Sequence, residues 1–126
     1  MGDVGTPDAG ARRRAVQQAL AAGDLPGAAG HLQALAAVEP GNVSTWLNLA
    51  AVRRQLDDVD AAFLAIREVL RLDPRNFPAL LMSATLFERE GNAEQAAIGY
   101  GIALAQAPPD AELDAPTLQA VRHGRE

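Results

Sequence analysis

Hydrophobic and polar positions follow one another along this chain with helical spacing, and the whole pattern returns after 34 residues. Residues 9–42, 43–76 and 77–110 align column by column without a gap. Pro40, Pro74 and Pro108 close the three units, and two residues after each comes Asn42, Asn76 or Asp110. Inside each unit the periodicity breaks once, at Gly23-Asp24, Asp57-Asp58 and Gly91-Asn92. The second residue of each pair can accept a bond from the free amides of a following helix. Asn92-Ala93-Glu94-Gln95 has the layout of a capping box. Each unit is therefore predicted to be helix, tight turn, helix, and a period of this size predicts hairpins that stack on one another.

The columns also say where the helices should meet. Four residues after each turn stands the same small residue, Ala28, Ala62 or Ala96. A larger side chain at a close helix crossing would force the axes apart, at a cost of about 1 to 3 kcal/mol. Larger apolar groups recur on the same faces: Leu32, Ile66 and Tyr100 in one column, Leu35, Val69 and Ala103 in the next. In the first helices, Trp46, Leu49 and Ala50 are matched loosely by Leu80, Ser83 and Ala84, and Leu56 and Phe87 are large apolar residues near the turn but three columns apart.

These columns resemble the tetratricopeptide repeat (TPR), whose loose 34-residue consensus carries Trp, Leu-Gly, Tyr, Ala, Phe, Ala and Pro at set places. The second unit matches at Trp46, Leu49, Ala62, Val69 and Pro74, and the third at Ala84, Phe87, Gly91, Ala96, Tyr100, Ala103 and Pro108. The first keeps Gly23, Ala28 and Pro40 but has Arg12 in the place of the Trp, as suits a terminal repeat whose outer face meets water. The resemblance covers residues 9–110. It implies an all-α fold, a right-handed α-solenoid of three helical hairpins with a C-terminal capping helix.

Outside the repeats, residues 1–8 read as a flexible tail in which Asp8 caps the first helix. Residues 111–126 read as the capping helix and C-terminal end. Pro116 would break a helix from within, so Asp114 is expected to cap a short one from about Ala115 to His123, with Leu118 and Val121 packing on the open end of the third repeat.

Composition narrows the class without changing this picture. At 126 residues the chain can form one domain, burying roughly two-thirds of the surface its unfolded form exposes. It is 48% hydrophobic but only 4% aromatic, and about a fifth of it is alanine, which favours closely packed helices. All 11 basic residues are arginine, a bias that looks like a GC-rich bacterial genome. The net charge of -5 argues against nucleic acid as a partner, because such binders present a basic face. Arg12-Arg13-Arg14 is the one basic cluster and reads as a solvated first turn. The absence of cysteine excludes disulfides and thiolate chemistry and fits a reducing, cytoplasmic setting. No apolar run is long enough to span a bilayer, so no membrane contact is expected.

In the family that the columns resemble, the first helices of successive units line a concave groove. Carried onto this sequence, the groove residues are Arg13 and Gln17 from the first unit; Ser44, Leu47, Asn48, Ala51 and Arg54 from the second; and Leu81, Met82, Thr85 and Arg89 from the third. Arg14, Leu20, Gln55 and Glu88 fall on the same faces. This set suits an extended peptide or protein segment with apolar and acidic residues, and Leu47, Asn48 and Met82 are its strongest candidates. A neighbouring helix or a second copy of the chain in a homo-oligomer is the alternative occupant. One subclass of the family grips a terminal carboxylate with basic residues and asparagines. Position by position this chain offers Arg13, Gln17 and Asn48, then Pro78 and Met82 in the places of the last two cations, so half of that clamp is missing.

Catalytic signatures are not found. His31 and His123 are the only histidines and share no register. No phosphate-binding glycine loop, glycine-flanked nucleophilic serine or metal-ligand pair is present. No cofactor or metal is expected, and the chain reads as a non-catalytic protein-protein interaction module. In layout and composition it is also similar to the leading region of bacterial aspartyl/asparaginyl β-hydroxylase-like proteins. That likeness implies an alternative role, as the N-terminal substrate-recruiting segment of a larger 2-oxoglutarate dioxygenase.

Overall fold

A computed structural model describes residues 9–107. These form six helices, α1 (Ala9–Ala21), α2 (Leu25–Val38), α3 (Val43–Gln55), α4 (Val59–Leu72), α5 (Phe77–Arg89) and α6 (Ala93–Ala105), and no strand occurs among the described residues. The predicted cap Asp8, the last periodic pair Pro108 and Asp110, and the helix expected from Ala115 lie outside them. None of the described helices is long and apolar enough to cross a membrane. The chain packs as two compact units, one ending at Glu68 and the other starting at Val69 within α4.

All three hairpin turns are built in one way. Gly23, Asp57 and Gly91 take positive φ values of 75°, 62° and 79°. The amide after each reaches back five residues, from Asp24 to the carbonyl of Ala19, Asp58 to Arg53 and Asn92 to Phe87, at 2.8 to 2.9 Å. This double closure of the helix C-terminus satisfies carbonyls that would otherwise be orphaned, and it needs one left-handed residue. Glycine accepts that conformation freely, whereas Asp57 is held in it against a side-chain penalty. The same residue that ends one helix bond ladder then starts the next: Asp24 accepts from the Gly27 amide at 2.9 Å, Asp58 from Ala61 at 3.4 Å and Asn92 from Gln95 at 3.3 Å.

Between hairpins, the periodic proline keeps the residue before it out of the helical conformation, so α2 and α4 stop there. Asn42 and Asn76 then do two jobs each. Their side-chain oxygens cap α3 and α5 by accepting from the amides of Ser44 and Ala79, both at 3.0 Å. Their amide nitrogens donate back to Glu39 and Asp73, both at 3.2 Å. The acid-Pro-x-Asn loop is thus a closed local unit, and its recurrence explains why the asparagines keep the period. In the first of these loops the Trp46 indole also donates to the Pro40 carbonyl at 2.8 Å.

The core of the first unit is aliphatic. Ala28, Leu32, Leu35, Leu49, Ala50, Ala62 and Ile66 are all buried. Arg53 fastens this unit from its edge, donating from α3 to the Gln33 side chain at 2.6 Å and to the Ala61 carbonyl at 3.1 Å. In the second unit Ala84, Ala96 and Tyr100 form the buried centre, with Leu81, Phe87 and Leu104 packed around them. The alanine column is therefore buried in each hairpin, as close helix packing requires.

Candidate functional groove

The periodicity that buries Leu32 and Leu35 in α2 leaves a trough above them, walled by α1 on one side and α3 on the other. Its volume is about 440 Å³. Val16, Leu20, Leu32, Leu35, Ala51 and Val52 supply an apolar floor and wall, and Gln17, Asn42, Ser44, Thr45, Asn48 and Gln55 supply polar groups along it. Leu20 is 44% exposed, a large apolar side chain left facing water at the mouth. Of the lining residues only Arg13 is charged.

That charge is already matched. Arg13 Nη2 donates to both carboxylate oxygens of Glu39, 2.6 Å to Oε2, and Asn42 donates to the same carboxylate. The hydrogen bond from Arg13 holds the Glu39 carboxyl below its ordinary value of 4.5, over the opposing effect of burial, with Asn42 adding to it. Arg13 stays exposed, as expected of a solvated arginine run, but its charge is paired. One turn into α1, it lies within reach of the residue that ends α2, and the two charges join.

Five of the groove residues expected from the sequence, Arg13, Gln17, Ser44, Asn48 and Ala51, line this trough. Leu47 and Arg54 do not; both are half-buried elsewhere on α3, and Arg54 sits in its last turn, where a cation complements the helix dipole. Leu81, Met82, Thr85 and Arg89 lie on α5 in the second unit. Leu81 packs against the Ala84–Tyr100 core, and the Thr85 hydroxyl donates to the Met82 carbonyl at 2.8 Å. Arg89 occupies the last turn of α5 and is exposed. Val16, Thr45 and Val52 also line the trough, beyond the residues expected from the sequence. Their only signal there is the i, i+3 and i, i+4 spacing to Leu20 and Leu49, which marks buried positions without saying that a cleft borders them.

A smaller trough of about 310 Å³ lies elsewhere on the first unit, among Gln33, Trp46, Arg53, Leu64, Ala65, Arg67 and Glu68. Among the described residues no cluster of three or more His, Asp or Glu could hold a metal ion. His31 is half-buried on α2.

No protein-family model and no curated protein matches the sequence. Solved structures do. The TPR domain of Arabidopsis OM64 superposes with a TM-score of 0.77 at 18% identity, over 93% of each chain. The TPR2B domain of yeast Sti1, in a complex with pHsp70, gives 0.76 at 18% identity over 92% of this chain and 94% of that one. A double mutant of MamA RS-1 gives 0.78 at 22% identity, over 92% of this chain and 65% of the MamA chain. None of the three is a hydroxylase-like protein, and the weaker resemblance to that group finds no support here. Six helices in hairpins, glycine or aspartate turns on a 34-residue period and these superpositions together establish that the chain has the all-α fold of tetratricopeptide-repeat domains.

Proposed function

We propose that the chain is a non-catalytic protein-interaction module whose α1–α3 groove receives an extended peptide or partner segment. The observation that carries this reading is the trough itself, with an apolar floor, an exposed Leu20 at its mouth and side-chain amides at intervals along both walls. An apolar side chain entering it would gain about 1.5 to 3 kcal/mol if fully buried. Gln17, Asn48 and Gln55 can each donate and accept, which suits the alternating N–H and C=O groups of an extended backbone. The fold supports the same reading, since the TPR2B domain of Sti1 forms a complex with pHsp70.

Leu47 and Arg54 on α3 complete the proposed contact set of the first unit beyond the trough, and Leu81, Met82, Thr85 and Arg89 on α5 form a separate proposed contact set on the second unit. A peptide array probed with wild type and with a Leu20→Ala, Asn48→Ala double variant tests the assignment. Loss of most peptide signals in the variant is expected. Unchanged binding by a variant that melts like wild type would move the site away from α1 and α3.

A further inference from the structure

The guanidinium that a ligand's carboxylate would need at the trough is already taken by Glu39. Arg13 is the single charged group lining the trough, and its guanidinium already donates to both oxygens of that side chain. Glu39 is itself held in place: Asn42 donates to it at 3.2 Å, and Asn42 is anchored because its oxygen caps α3 through the Ser44 amide. The acid is therefore preorganised from two sides. An incoming carboxylate would have to displace it or crowd a second negative charge against it.

Resting on the groove reading above, we propose that Glu39 is a specificity gate, which sets the trough to accept uncharged extended segments and to reject acidic ones at Arg13. The remaining polar groups agree with such a ligand. Gln17, Asn48, Gln55 and Ser44 are neutral and two-sided, matching a peptide backbone or Asn, Gln and Ser side chains. Nothing in the lining offers a net positive field once the Arg13 charge is cancelled. Because the Arg13 hydrogen bond holds the Glu39 carboxyl below its ordinary range, the gate stays ionised at neutral pH. At this site the proposal departs from the expected segment with apolar and acidic residues by keeping the apolar residues and putting neutral polar ones in place of the acidic ones.

The test uses paired synthetic decapeptides that are rich in apolar residues and differ only by Asn or Asp at one central position. Wild type is expected to bind the Asn member of each pair at least as well as the Asp member. Glu39→Gln keeps an oxygen for Arg13 but removes the charge, and should raise the Asp-to-Asn binding ratio by up to about fivefold, the scale of one exposed ion pair. Adding Arg13→Met to Glu39→Gln should return the ratio to the wild-type level. Arg13→Met alone leaves Glu39 unneutralised and should push the ratio below wild type, which keeps the idea testable if Glu39→Gln folds poorly. A wild-type preference for Asp peptides, or one ratio shared by wild type and Glu39→Gln, overturns the gate. The underlying groove reading fails in a different way: a folded Leu20→Arg variant would then retain every peptide signal.

Discussion

Where α5 and α6 cross, Gly99 faces Ala84 so closely that an added Cβ would stand 3.0 Å from the Ala84 Cβ and 3.3 Å from its Cα. Two periods earlier, the same two columns of α1 and α2 hold Val16 and His31, and the aromatic Tyr100 is replaced by Leu32. The Tyr100 hydroxyl donates to Glu88 at 2.7 Å, and burial together with that bond pushes its pKa up. The column of Glu88 in the first hairpin is Leu20, which has no such tie and opens onto the trough. The comparison teaches how one backbone plan serves two ends. The α5–α6 hairpin seals its inner column with a ring and a hydrogen bond, whereas α1–α2 leaves a leucine unsealed and fastens itself at the rim by an ion pair.

The sharpest way to break the contrast is to truncate the matched column. Tyr100→Ala should cost about 3 to 5 kcal/mol and Leu32→Ala about 2 to 5 kcal/mol, read by urea unfolding, with the tyrosine the larger loss. A smaller cost at Tyr100 would mean that the ring does not centre its hairpin. Next in size come the glycines of α6. Gly99→Ala must push Ala84 aside, so it should destabilise by about 1 kcal/mol after its helix-propensity gain, whereas Gly101→Ala, which meets open space, should stabilise by about the same amount. Like signs for the two would refute the close crossing.

Tyr100→Phe isolates the seal's polar half and should cost about 1 kcal/mol near neutral pH. Because the folded tyrosine has a raised pKa, that stability is fully present below the ordinary value of 10.0 and is lost as pH climbs through the folded value. The gap between wild type and Tyr100→Phe should therefore narrow only in strongly alkaline solution; a gap that narrows near pH 7 would contradict the assignment. At the turns, Asp57→Gly relieves a left-handed aspartate that Gly23 and Gly91 avoid, and thermal melts should register a gain of up to about 1 kcal/mol. The mildest effect belongs to the rim pair. Glu39 has a lowered folded pKa, so its contribution holds above its ordinary 4.5 and fades as pH falls through the lowered value. Melting curves of wild type and Glu39→Gln should then differ at neutral pH and converge in acid.

Much of this was legible from residue order. The turns at Gly23, Asp57 and Gly91 could be read because a left-handed residue followed by a capping side chain is a local requirement, met by neighbours in the chain. The buried columns from Ala28 to Tyr100 could be read because a 34-residue period repeats one packing problem. The groove was half legible. Gln17 and Asn48 follow from the helical register, but Leu47 lies one residue away on α3 and turns about 100° off the same face, so a small error in phase moves it out.

What the sequence by itself determined, then, is the set of helices, their turns and their buried stripes, since each depends on contacts within a few residues or on an exact repeat. The tertiary structure alone decided which charges meet. Arg13 and Glu39 stand 26 residues apart, and neither carries a mark that singles out the other. They pair because packing α2 against α1 delivers the end of one helix to the first turn of the other. Electrostatic partners are chosen by distance in space, which the order of residues does not encode until the helices have packed.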